Sequence, residues 1–188
     1  MNTRHPARTI LSELLLQQDS SRVGSAAPVG LLRRFLSDVG STTAFLEDLL
    51  GEELRVEVLG HKERSGASGP CLERESILRG PRSSPLVASH CILNLAAWSD
   101  KDADLLRAGE VPIGRILKMQ SGSGLIKDRI SIERGGRHRL VGLLSVADTD
   151  RAFLKHYRLR RGDKCIGEFT EAASEASLRR AVSRSCSV

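Results

Sequence analysis

Apolar residues recur at helical spacing early in the chain and at strand spacing through much of the rest. From Arg8 to Gln18, Ile10, Leu11, Leu14 and Leu15 fall on one side of a predicted helix. Residues 1 to 7 before it are polar and read as a mobile end. "DSSRVGSAAPVG" reads as a loop, and "LLRRFLSDV" as a second short amphipathic helix that Gly40 stops. "STTAFLEDLLG" is a sharper helix signal. Ser41 or Thr42 can cap its start, Gly51 can close its end, and Phe45, Leu46, Leu49 and Leu50 form its apolar side.

The period then changes. In "LRVEVL", Leu54, Val56 and Val58 alternate with Arg55 and Glu57, as in a half-buried strand. "GHKERSGASGP" reads as a loop and "CLERESILRG" as the next strand. "SPLVASHCILNL" is nearly continuous in apolar residues and reads as a central strand. The short "GPRSS" between these two predicts an antiparallel hairpin. "SDKDADLLRAG" carries Ser99 or Asp100 as cap and Gly109 as stop, so it predicts a helix. "DRISIER" alternates, "RLVGLLSV" fits strand or helix equally, and "YRLRRGDKCIGEFTEA" reads as strand, turn, strand with "GD" in the turn. From Ala172 to Val188 the chain is rich in Ala, Ser and Arg, a frayed helix or a disordered tail. Strands joined mostly by hairpins, with helices beside them, predict an α+β domain on an antiparallel sheet.

Composition narrows the function classes. A chain of 188 residues is one domain, and 40% apolar residues suffice for a core. No apolar run approaches the roughly 20 residues of a membrane span, and no signal peptide is evident. The net charge is +6 and the isoelectric point about 9.5. The basic residues are scattered and only six residues are aromatic, so a nucleic-acid partner is not expected. A small anionic ligand accounts for the charge equally well. Cys71, Cys91, Cys165 and Cys186 form no C-x-x-C pair. The expectation is therefore a reduced, cytoplasmic protein without metal or cofactor.

Four places can carry chemistry. In "LERESIL", Arg74 alternates in phase with Leu72, Ser76 and Leu78. If that face is the inner one, a guanidinium points inward and needs an anionic partner. The alternative puts Glu73, Glu75 and Ile77 inside and Arg74 in solvent. In "KCIGEFTE", Glu168 shares a face with Ile166, either as an acid over an apolar surface or as an edge-strand glutamate in solvent. In "EVPIGRIL", Pro112 and Gly114 bracket Ile113, whose amide can face a ligand, with Arg115 adding charge. Equally, the segment is a helix-entry turn with Arg115 solvated. His90, inside "LVASHCIL", reads first as a satisfied interior residue.

Five segments in order, "GSTTAFLEDLLGEELRVEVL", "LERESILRG", "SPLVASHCILNL", "VPIGRIL" and "YRLRRGDKCIGEFTE", resemble the chorismate pyruvate-lyase (4-hydroxybenzoate synthase) family over residues 30 to 171. The resemblance implies an antiparallel sheet with flanking helices enclosing a small-ligand pocket, the chorismate lyase-like fold. Residues 1–29 then form an N-terminal helix and loop, 30–171 the domain, and 172–188 a basic flexible tail. It also implies a cofactor-independent lyase that converts chorismate to 4-hydroxybenzoate and pyruvate. On the matching positions, Arg74 grips the ring carboxylate, the Ile113 amide meets the same group with Gly114 allowing close approach, and Glu168 is the acid beside the ring hydroxyl. Thr42 falls near a helix start that approaches the ligand. Arg115 binds the second carboxylate or braces its turn, and His90 stands where some relatives carry arginine. Lys155 and His156 depart from the two arginines common before the family's penultimate-strand tyrosine. Two alternatives are a non-catalytic aromatic-acid or effector-binding module of the same fold and a lyase for a related chorismate-derived substrate. The same fold serves as the effector domain of some bacterial transcription regulators. Only about 30 residues precede the resemblance here, without a helix-turn-helix pattern, which weighs toward the lyase.

Overall fold

The structure is a computed structural model that describes residues 27–66, 69–120, 124–146 and 151–185. The helix expected over Arg8–Gln18 lies outside the described residues, as do Cys186 and the end of the tail.

Among the described residues two helices come first, α1 (Ala27–Ser37) and α2 (Thr42–Leu50). The Ser41 side chain caps α2 by accepting from the Ala44 amide, and Gly51 closes it in the left-handed conformation, φ 66°. Three strands follow, β1 (Arg55–Gly66), β2 (Gly69–Arg79) and β3 (Pro85–Asn94). After them come α3 (Asp100–Ala108) and α4 (Ile113–Met119), then β4 (Leu125–Arg134) and the short α5 (Arg139–Gly142). The hairpin of β5 (Ala152–Arg161) and β6 (Lys164–Ser174) leads into α6 (Glu175–Ser185).

All six strands form one antiparallel sheet in the order β1-β2-β3-β6-β5-β4. The α+β architecture expected from the alternating segments is the one observed. Two local expectations are corrected. "GHKERSGASGP" is not all loop, because β1 runs to Gly66 and β2 starts at Gly69. This arm is exposed on both faces along β1, so no apolar alternation marks it as strand. The segment from Ala172 finishes β6 and then forms α6, whose Leu178 and Ala181 are buried. "RLVGLLSV" is helical at its start, with Leu140, Val141 and Leu144 buried.

The sheet has two unequal faces. On its inner face, α1, α2 and α6 pack over one end, where Leu78, Val87, Phe153 and Ala173 meet Phe35, Leu46 and Leu178. At the other end α3 and α4 bring Leu106 and Ile116 against Leu72, Leu93, Tyr157 and Phe169. The outer face is covered only in part, by α5 over Ile77, Ala88, Leu154 and Ala172. Between the two inner packets the sheet is not filled by side chains, and a cavity remains there. No helix among the described residues is long and apolar enough to cross a membrane.

Candidate functional site

The cavity measures about 420 Å³. Its floor is the middle of the sheet, with Arg74 and Ser76 from β2, Ser89 from β3, and Phe169 and Glu171 from β6. Its wall is two helix starts, Ser41 to Ala44 of α2 and Ile113–Gly114 of α4. These starts touch: a Cβ placed on Gly114 would lie 2.4 Å from Ser41 Oγ and 2.6 Å from Thr43 Oγ1. Glycine at this position is therefore what lets α4 close on α2.

Arg74 is inside. Leu72, Arg74, Ser76 and Leu78 are all buried, and Arg74 is only 1% exposed. Among the described residues its Nε and Nη1 have no hydrogen-bond partner, and no carboxylate lies in salt-bridge contact with it. Burial draws its pKa down, with the neighbouring Cys91 acting in the opposite sense. Arginine nevertheless keeps its charge in proteins. Burial likewise pushes the Cys91 thiol up to about 12, so that sulfur stays neutral beside the guanidinium. A buried cation with idle donors is costly, and an anion entering the cavity would remove that cost.

The carboxylate in the cavity is Glu171. It accepts from Thr42 Oγ1 at 2.8 Å and from the Tyr157 hydroxyl at 2.9 Å. Burial, then the charge of Glu171 and its hydrogen bond, pushes the Tyr157 hydroxyl well above its usual pKa. Tyr157 therefore remains a donor. Lys127 Nζ, from β4, donates to Thr42 Oγ1 at 3.3 Å and lies 4.4 Å from the centre of the Tyr157 ring. Lys155 stands beside Glu171 in the register of β5 and β6, fully buried. Its ammonium donates to the carbonyls of Phe35 and Asp38 at the end of α1. Burial, with the Lys127 charge adding to it, lowers its pKa to about 8 against the pull of Glu171 and Asp38.

Of the residues singled out from sequence, Arg74, Thr42, Ile113 and Gly114 come together around this cavity. "EVPIGRIL" is both of the things it was read as. Pro112 starts a helix by accepting from the Arg115 and Ile116 amides, and Ile113 and Gly114 line the cavity. Arg115 points elsewhere. It pairs with Glu47, donates to the Leu54 carbonyl at 3.2 Å and lies 3.5 Å from Glu53. It braces the join between α2 and β1.

Glu168 and His90 lie on the outer face. Glu168 is paired with Arg158 at 2.7 Å and its side chain is 51% exposed. The reason is a bulge. Leu159 pairs with Gly167 but Arg160 with Cys165, so Ile166 has no partner across the ladder. The extra residue breaks the two-residue period, and Ile166 turns inward to pack with Leu72 and Phe169. Counting alternation from Ile166 therefore places Glu168 on the wrong face. His90 Nε2 meets Glu73 at 3.0 Å, away from the cavity. Glu171, Lys127, Lys155 and Tyr157 were not foreseen. For two of them a signal existed: "FLKHY" puts Lys155 in phase with Phe153 and Tyr157, and "GEFTEA" puts Glu171 in phase with Phe169 and Ala173.

Comparison with solved structures shows where this fold recurs. The effector domain of PhnF from Mycobacterium smegmatis matches with a TM-score of 0.53 at 15% identity, over 72% of this chain and 88% of that one. PhnF from the same organism matches with a TM-score of 0.54 at 17% identity, over 89% of this chain and 78% of that one. The ligand-binding domain of a putative GntR-family transcriptional regulator from Bordetella bronchiseptica matches with a TM-score of 0.50 at 12% identity, over 64% of this chain and 85% of that one. The fold is chorismate lyase-like. No family model matches the chain, and no curated protein matches it. Family membership therefore goes no further than this fold.

The expectation of a lyase is corrected. The matched structures are the effector domain of PhnF, PhnF itself and the ligand-binding domain of a putative GntR-family transcriptional regulator. The geometry agrees, since the acid assigned to the reaction, Glu168, is on the opposite side of the sheet from the cavity.

Proposed function

We propose that this chain is a non-catalytic module that binds a small anionic effector in the inner-face cavity, with Arg74 as the anchor. The observation that carries the reading is the state of Arg74: buried, charged, lining the cavity and holding two donors without acceptors. A guanidinium so placed matches a carboxylate or phosphate bidentately. The positive end of the α2 dipole adds to it, because Thr42 and Thr43, whose first-turn amides have no intrahelical acceptor, also line the cavity. The apolar wall of Val56, Leu78, Leu117 and Phe169 suits a ligand with a hydrocarbon or aromatic body. The matched regulator domains support the same use of the fold.

Calorimetric titration with three ligand classes tests this: aromatic carboxylates including 4-hydroxybenzoate, aliphatic carboxylates, and phosphate esters. At least one class binds saturably at one site, and Arg74→Met removes the binding. Binding by none of them, or binding that Arg74→Met leaves unchanged, contradicts the proposal.

A further inference from the structure

Two cations that line the cavity, Arg74 and Lys127, come from strands well apart in the sheet and have donors to spare. Resting on the reading of an anion site at Arg74, we infer that the ligand has two anionic groups at opposite ends and that Lys127 selects for the second. Arg74, Lys118 and Lys127 line the cavity together with the carboxylates Asp48 and Glu171, and Lys155 is buried beside Glu171. Both oxygens of Glu171 are already engaged, by the neutral hydroxyls of Thr42 and Tyr157. Lys155 is turned toward the carbonyls at the end of α1. Lys127 has one hydrogen bond, to Thr42 Oγ1, and its ammonium otherwise lies over the Tyr157 ring. Among the described residues no carboxylate lies in salt-bridge contact with it, although an ammonium has three donors. A protein cation–π contact leaves the remaining donors of Lys127 available to a ligand.

The sheet order sets the ligand's shape. Arg74 is on β2, and Lys127 reaches from β4 to a position over Tyr157 on β5. Three strand spacings separate β2 from β5, on the order of 14 Å across the sheet. The Arg74 side chain shortens that gap. An elongated dianion suits two cations on separate strands, with its body along the apolar wall.

The test is calorimetric titration of the full chain with unbranched dicarboxylates from succinate to sebacate, each against its monomethyl ester. The ester has the same length and one charge fewer. The expected result is a preference of about tenfold or more for the diacid at an intermediate length, the size of one charge-assisted hydrogen bond. Lys127→Met brings that ratio to about one while ester affinity stays within about twofold, and Lys127→Arg keeps the preference. A cooperative melt for each variant establishes that it is folded. Ester and diacid binding alike to the native chain would overturn the dianion inference and leave the Arg74 site standing. Binding by neither member of any pair would overturn the dianion inference, and the anion site falls with it when the aromatic carboxylates and phosphate esters also fail to bind.

Discussion

The Thr42 hydroxyl donates to Glu171 at 2.8 Å across 129 residues of chain. This bond ties the first turn of α2 to the floor of the cavity, and Lys127 leans on the same oxygen. Thr42→Val keeps the shape and removes the donor, leaving a buried carboxylate with Tyr157 alone. Urea unfolding should show a loss of about 1–3 kcal/mol, most of it recovered in Thr42→Ser. An unchanged midpoint would mean that the bond contributes nothing to holding α2 in place.

Gly114→Ala is expected to wedge α4 away from α2, because the new methyl has Ser41 Oγ at 2.4 Å and Thr43 at 2.6 Å. Overpacking of this kind costs about 1–3 kcal/mol. The same variant should weaken ligand binding, since the displaced atoms line the cavity. A fully stable Gly114→Ala chain with native affinity would show that the two helix starts are not fixed against each other.

Lys155 gives a pH signature. Its pKa falls from 10.5 in the open chain to about 8 when folded. Between those values the unfolded chain holds the extra proton, so stability from this group rises with pH from about 8 toward 10.5. Below about 8 the cost of burying the charge is fully present. The difference in unfolding free energy between the native chain and Lys155→Met should follow that slope. A difference that is flat across this range would place the titration of Lys155 elsewhere. Anionic ligands favour the protonated form through charge, so their affinity should decline as pH rises past about 8.

Much of this was legible in the sequence, and what was not has physical reasons. The Ser41 and Gly51 caps and the β2–β3 hairpin rest on local rules that tertiary packing left in force. Alternation left Arg74 open between the two faces, and only the packing of the sheet puts it inside. Glu168 and Ile166 were misjudged because a bulge shifts the period by one residue, and a bulge leaves no apolar signature. The outer half of β1 was missed because a strand exposed on both faces has no alternation to read. Lys127 and Glu171 are brought together with Thr42 only by packing α2 across the sheet, which no local pattern encodes.

Glu168→Ala and His90→Ala should leave ligand affinity unchanged, since both residues lie on the outer face, Glu168 in an ion pair with Arg158 and His90 in a hydrogen bond with Glu73. Such exposed pairs contribute at most about 1 kcal/mol. Chorismate incubated with the protein should release pyruvate at the uncatalysed rate. A loss of binding in Glu168→Ala would contradict the placement of the site.

Arg74 is buried where an anionic ligand would bind, and thermal unfolding of Arg74→Met with and without ligand tests that role most directly. Without ligand the variant should be as stable as the native chain or more so, by up to about 4 kcal/mol, because an apolar residue replaces an uncompensated buried charge. With a dicarboxylate or phosphate ester that raises the native melting temperature, the variant should show no rise. A variant that is less stable without ligand and still rises with it would contradict the account.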